Sequence, residues 1–209
     1  EQSSLVTIQP ITRYRFDAAI IFSDILIVPW ALQRNVRFKP NVGPLLDPLS
    51  QPHASEQKLI DNLPSKLAPL SDALRLTKLN LPPETALIGF AGAPWTIMTY
   101  MVEGGSSRDF TLTREWAWKY PKQVDALLNS LIESTISFLS LQAAAGADAL
   151  MLFDSWASAV PAAQRDWLVT QPVRLIVEGV RDNGHKQPII GFPKGIGEGL
   201  IRFAAESGV

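Results

Sequence analysis

Apolar residues along this chain follow two rhythms. Short unbroken runs occupy 18–22, 86–92, 149–153 and 189–192, and between them apolar positions recur three and four apart. Unbroken runs of that length predict strands buried on both faces, as in a parallel sheet. The periodic stretches predict helices: most of 1–15, kinked at Pro10; a short one over 25–32 near Pro29; 55–63; and 66–79, with Leu67, Leu70, Leu74 and Leu76 as its apolar face. Pro94 opens another that Gly104-Gly105 closes. Further helices are expected over 108–119, from Pro121 to a stop at Gly146, over 161–181, and after Gly197. Between 34 and 52, four prolines and Gly43 predict an irregular loop with a short extended piece at 35–38.

Strand and helix alternate throughout, which predicts an α/β fold with a parallel sheet and crossover helices. A doubly wound sheet and a (β/α)8 barrel both fit this order. No GxGxxG follows the first strand and no GxxxxGK[ST] occurs, which favours the barrel. Such barrels take about 250 residues. The expectation is therefore a partial TIM barrel with about four of eight strands, residues 1–209 forming one domain.

Three strands end alike, in FSD, FAG and FDS. The first places Asp24 after a buried strand and before the apolar stretch ILIVPWAL. Sheets of this kind bind ligands at the carboxyl ends of their strands. Burial raises the pKa of a carboxylate there unless donors or a cationic ligand compensate. Asp24 is thus the leading candidate for the chemical centre, the alternative being a cap for the next helix.

The 209 residues are 46% hydrophobic with a net charge of −1, enough for a real core and no argument for nucleic acid binding. No stretch approaches the roughly 18 apolar residues that span a bilayer, and no charged-then-apolar signal stands at the amino end, so no membrane association is expected. Cys is absent, which removes disulfides, thiolate nucleophiles and thiolate zinc sites and is compatible with a reducing cytoplasm. His53 and His185 lie in polar turns, QPHAS and DNGHKQ, and read as surface residues, so a His-based metal site is not expected.

FDAAIIFSDIL, GFAGAPWTIMTYMVEGGSS and ALMLFDSWAS closely resemble the uroporphyrinogen decarboxylase family, in register over essentially the whole chain. The resemblance implies a (β/α)8 barrel, a cytoplasmic homodimer, and no metal or organic cofactor. It also implies further sequence: an earlier strand with an arginine-rich RQAGRY loop, and three later strands, the last followed by a His-containing loop. The implied reaction converts the four acetate side chains of uroporphyrinogen to methyls, giving coproporphyrinogen and CO2. By resemblance Asp24 accepts hydrogen bonds from the pyrrole N–H groups. Tyr100 hydrogen-bonds the substrate or Asp24, and the Ser155 hydroxyl contacts a substrate carboxylate. Phe22 and Phe153 would wall the macrocycle.

Each role has a plainer alternative. Tyr100 reads equally as a packed ring, Ser155 as a helix N-cap, and Phe22 and Phe153 as core. Only one of Ile20 and Ile21 can face the barrel interior. Lys194 lies at the right rim to meet a substrate carboxylate but also reads as a surface residue. Arg34, Arg37 and Arg108 read as solvated charges, and Asp154 and Trp30 are assigned no role. Two other readings remain open: a barrel methyltransferase that uses zinc and cobalamin, and an inactive porphyrinogen-binding fragment.

Overall fold

In chain order, helix α1 (Gln2–Tyr14) leads into strand β1 (Ala18–Ile20), and the short α2 (Ile27–Ala31) comes next. The computed structural model describes residues 1–41 and 43–209. Beyond α2 lie β2 (Arg37–Lys39) and β3 (Gly43–Leu45), an antiparallel pair where an irregular loop was expected. Asp47 explains its anchoring: it accepts from Arg37 at 2.6 Å and from Asn35 at 3.1 Å. Helices α3 (Gln57–Asp61) and α4 (Leu63–Asn80) lead to β4 (Ala86–Gly92). The chain continues through α5 (Pro94–Glu103), α6 (Thr111–Lys119) and α7 (Pro121–Ala144), β5 (Ala149–Asp154), α8 (Gln171–Asp182), β6 (Ile189–Pro193) and α9 (Gly199–Glu206).

The main sheet has the order β1-β4-β5-β6, and every neighbouring pair is parallel. This is the α/β arrangement expected for an arc of a barrel. The strands are not buried on both faces, however. Ala19, Leu87, Ala91, Leu150, Leu152 and Ile189 lie under the helices and are buried. On the opposite face Ile20, Ile190 and Phe192 are exposed and Ile88, Met151 and Phe153 half-buried. The apolar runs carry inward-facing residues for a closed barrel, and four strands leave that face open. Ile21 points toward the helices and Ile20 away from them. Strand β1 stops at Ile20, short of the expected Phe22, whose side chain is 62% exposed.

That early stop leaves Phe90 without a strand partner on one side. Ala86 N–H and Ile88 C=O bond to the β1 side, so Phe90, in the same alternation, directs its groups there too. Fully buried Gln142 on α7 supplies both partners: its Oε1 accepts from Phe90 N–H and its Nε2 donates to Phe90 C=O, each at 2.9 Å. Unpaired backbone groups at this depth would each cost about 1–3 kcal/mol.

Three further expectations need adjustment. Residues 161–181 are not one helix: a π-helical turn, Asp166–Thr170, precedes α8. Pro172 has no N–H to continue the regular ladder, which favours the wider turn. Helix α7 is, by length and composition, apolar enough to cross a bilayer, contrary to the expectation that no stretch comes near. It packs against α4, α5, α8 and β4, and its apolar character serves the core. His185 is half-buried, not a free surface residue.

Candidate active site

The carboxyl ends of β1, β4, β5 and β6 meet at one rim, and the candidate residues lie on the segments that leave it. After β1 the chain turns at Ser23-Asp24. Asp24 is half-buried, and its Oδ1 accepts the Leu26 N–H at 2.7 Å, which shapes the turn into α2. Among the described residues no ion pair reaches Asp24. It borders a cavity of about 230 Å³ whose other walls are Leu26, Ile27, Trp30, Val36 and Phe38. Trp30, which the sequence left without a role, is thus a wall of the space next to Asp24, together with the hairpin residue Phe38.

From β4 the chain enters α5 directly. Pro94 sits at its start, and Tyr100, two turns on, lies near enough to Asp24 to feel its charge. Tyr100 is 8% exposed. Burial raises its phenol pKa, the Trp156 indole pulls it back, and the negative charge of Asp24 raises it further. Among the described residues the indole Nε1–H makes no hydrogen bond of normal geometry, so its approach to the phenol is long or poorly aligned. The Trp156 ring lies 6.5 Å from that of Tyr100 and 5.0 Å from that of Phe110.

Strand β5 delivers Phe153, Asp154 and Ser155. Phe153 stands between Phe90 at 5.6 Å and Phe192 at 6.0 Å, both edge-on, forming an aromatic row across three strands. Ser155 is half-buried and is not a helix cap: the next turn is capped by Trp156 with no side-chain bond. Lys194 is exposed past β6, and its N–H donates to the Asp154 carbonyl. Arg37 is engaged with Asp47, while Arg108 is exposed.

A sequence model of the uroporphyrinogen decarboxylase family matches residues 1–209. The chain belongs to that family. It is 46% identical over 204 residues to the uroporphyrinogen decarboxylase of Maricaulis maris, covering 98% of this chain and 59% of that protein. To that of Rhodospirillum rubrum it is 44% identical with the same coverage. To that of Caulobacter vibrioides it is 43% identical over 209 residues, again 59% of the relative. The chain thus spans about three-fifths of the length of these relatives. Its fold also superposes on a methyltransferase from Methanosarcina mazei with a TM-score of 0.73, over 99% of this chain and 60% of that one. At 12% identity that likeness concerns the fold alone.

The TYMVEGG stretch at the end of α5 divides its labour. In TYMVEGG, Glu103 is taken up by α6: its Oε1 accepts from the N–H and the hydroxyl of Thr113, each at 2.9 Å, and so caps that helix. Gly104 takes the left-handed conformation (φ 78°) that ends α5, and its carbonyl accepts the Leu46 N–H. A side chain at Gly105 would strike Leu45 at 2.8 Å. The motif therefore docks the segment after β3 against α5.

Sequence reasoning passed over Asp154, Thr96 and Trp156. Asp154 is 2% exposed, with Oδ1 accepting the Thr96 hydroxyl at 2.6 Å and Oδ2 unpartnered among the described residues. Burial pushes its carboxyl up to about 7 against the opposing pull of the Thr96 hydroxyl and N–H, with no charged group in the balance. The signal was present as an acid in FDS and a threonine in PWT, on segments whose contact only the fold reveals.

Proposed function

We propose that the full-length protein carrying this chain is a uroporphyrinogen decarboxylase. It takes a tetrapyrrole bearing four acetate arms, removes each carboxyl group as CO2, and leaves methyls. The observation that carries this reading is Asp24: an acid without a cationic partner among the described residues, bordering a cavity at the sheet's carboxyl rim, with its charge felt by Tyr100.

The chemistry suits that arrangement. Protonation of an electron-rich pyrrole makes the ring cationic and able to accept the electron pair of the breaking carbon–carbon bond. CO2 departs, and a second proton adds to the exposed methylene carbon as the ring proton is returned, for a net uptake of one proton per acetate. Asp24 faces the positive charge that arises only along this path and so stabilises the transition state more than the ground state. Tyr100 donates its phenol proton to the substrate or to Asp24, and the Ser155 hydroxyl meets a substrate carboxylate. Phe22 and Phe153 supply apolar contact to the macrocycle. The same reading assigns a homodimer in the cytoplasm, further strands closing the barrel, and a reaction run by the substrate's own ring without an organic or metal cofactor.

The test is anaerobic incubation of the full-length protein with uroporphyrinogen, followed by chromatography of the oxidised products. Species with seven, six, five and four carboxyls in succession are expected. A folded protein that leaves uroporphyrinogen unaltered overturns the reading.

A further inference from the structure

One buried acid takes no part in the proposed chemistry. Asp154 ends β5 on the helix-covered side of the sheet, directly beneath the start of α5. Its Oδ1 accepts the hydroxyl proton of Thr96, itself fully buried, and the same hydroxyl oxygen accepts the Trp156 N–H at 3.1 Å. The Trp95 indole donates to the Trp156 carbonyl at 2.9 Å. Both backbone groups of Trp156 are thus held from the first turn of α5. That helix has no side-chain cap of its own, because its N-cap is Ala93. Ser155 sits between the buried acid and the clamped tryptophan, and the Trp156 ring lies against Tyr100.

We propose that Asp154 is a positioning residue: through Thr96 it fixes the Ser155–Trp156 turn and thereby sets where the Ser155 hydroxyl and the Tyr100 phenol meet the substrate. A threonine hydroxyl has a single proton to give. With Asp154 taking that proton, the oxygen's lone pairs are directed at the Trp156 N–H. Without an acceptor the hydroxyl rotates freely and the turn loses its orientation. The raised pKa of the acid fits this role, since a group near neutral charge is retained in the interior at lower cost.

The kinetic consequence rests on the decarboxylase reading; the conformational one does not. Both are measured in the full-length protein for Asp154→Ala, Asp154→Asn, Thr96→Val and Thr96→Ser. Asp154→Ala and Thr96→Val are expected to speed amide exchange in the 154–158 segment at least tenfold. They are expected to raise KM for uroporphyrinogen about tenfold with a smaller change in kcat, the pattern of lost binding contacts. Asp154→Asn and Thr96→Ser keep the acceptor and the hydroxyl and recover most of both losses. The double variant Asp154→Ala/Thr96→Val is no worse than the poorer single one, because both cut the same link. Unchanged exchange in a folded single variant, or effects that multiply in the double, overturns the proposal. If Asp154→Ala does not fold, Thr96→Val against Thr96→Ser decides the question in the same way. A wild type inactive on uroporphyrinogen removes the activity reading only, and exchange still decides the positioning role.

Discussion

Two acids stand at the same rim, Asp24 after β1 in FSD and Asp154 at the end of β5 in FDS, and the fold treats them oppositely. Asp24 is half-buried beside a cavity, bound by one backbone N–H. Asp154 is sealed under α5, bound by a threonine hydroxyl, with one oxygen unpartnered among the described residues. The difference comes from which side of the sheet each meets. Strand β1 ends early and turns its acid into the open, whereas β5 continues through Asp154, whose place in the alternation sends it beneath the helices. A strand-end carboxylate is therefore a candidate for chemistry only when the parity of its strand, and the length of that strand, leave it facing space.

The largest expected separation between the two lies in the dependence of stability on pH. The folded-state pKa of Asp154, about 7, lies above its ordinary value of 3.8, so the folded chain holds an extra proton between them. Its contribution is fully present below about pH 4 and is lost as pH rises through about 7, at up to about 1.4 kcal/mol per pH unit. Urea denaturation from pH 4 to 8 should show this decline in wild type and a shallower one in Asp154→Asn. Equal slopes in the two proteins refute the assignment.

Asp24→Asn is next in size. It preserves shape and removes charge, and should lower turnover of uroporphyrinogen by the full-length protein about 10²-fold, with unchanged circular dichroism. Full activity in that variant would remove the charge from the mechanism. The same substitution tests the electrostatic link to Tyr100: the phenol should ionise at lower pH once the negative charge of Asp24 is gone, read by absorbance titration against Tyr100→Phe. No downward movement would mean that the two side chains do not sense each other.

The smallest effect tests a third acid, Glu103, whose carboxylate is taken up by Thr113 of α6. Glu103→Ala should cost about 1 kcal/mol of stability through loss of the α6 cap, measured by denaturation. A collapse of activity with stability intact would place Glu103 in the chemistry.

Much of the fold was legible. The runs at 86–92 and 149–153 became β4 and β5, and Pro94, Pro121 and Gly104 mark helix ends as turn chemistry demands. Local rules failed where distant partners intervened. The hairpin β2–β3 was hidden by prolines because its anchoring comes from Asp47, beyond the paired strands. Trp30 had no role and Phe38 only closed a short extended piece, yet the two are walls of one space beside Asp24.

By itself the amino-acid order determined the alternation of strand and helix, the parallel sheet and the family, because these are set by apolar period, turn residues and motifs read along one dimension. Only tertiary structure decided which face of each strand lay open, which of two similar acids met a cavity, and that Gln142 would complete the backbone of Phe90. Those outcomes depend on side chains far apart in the chain, here 52 residues apart for Gln142 and Phe90, and burial and hydrogen bonding are properties of the neighbours a residue finds rather than of the residue itself.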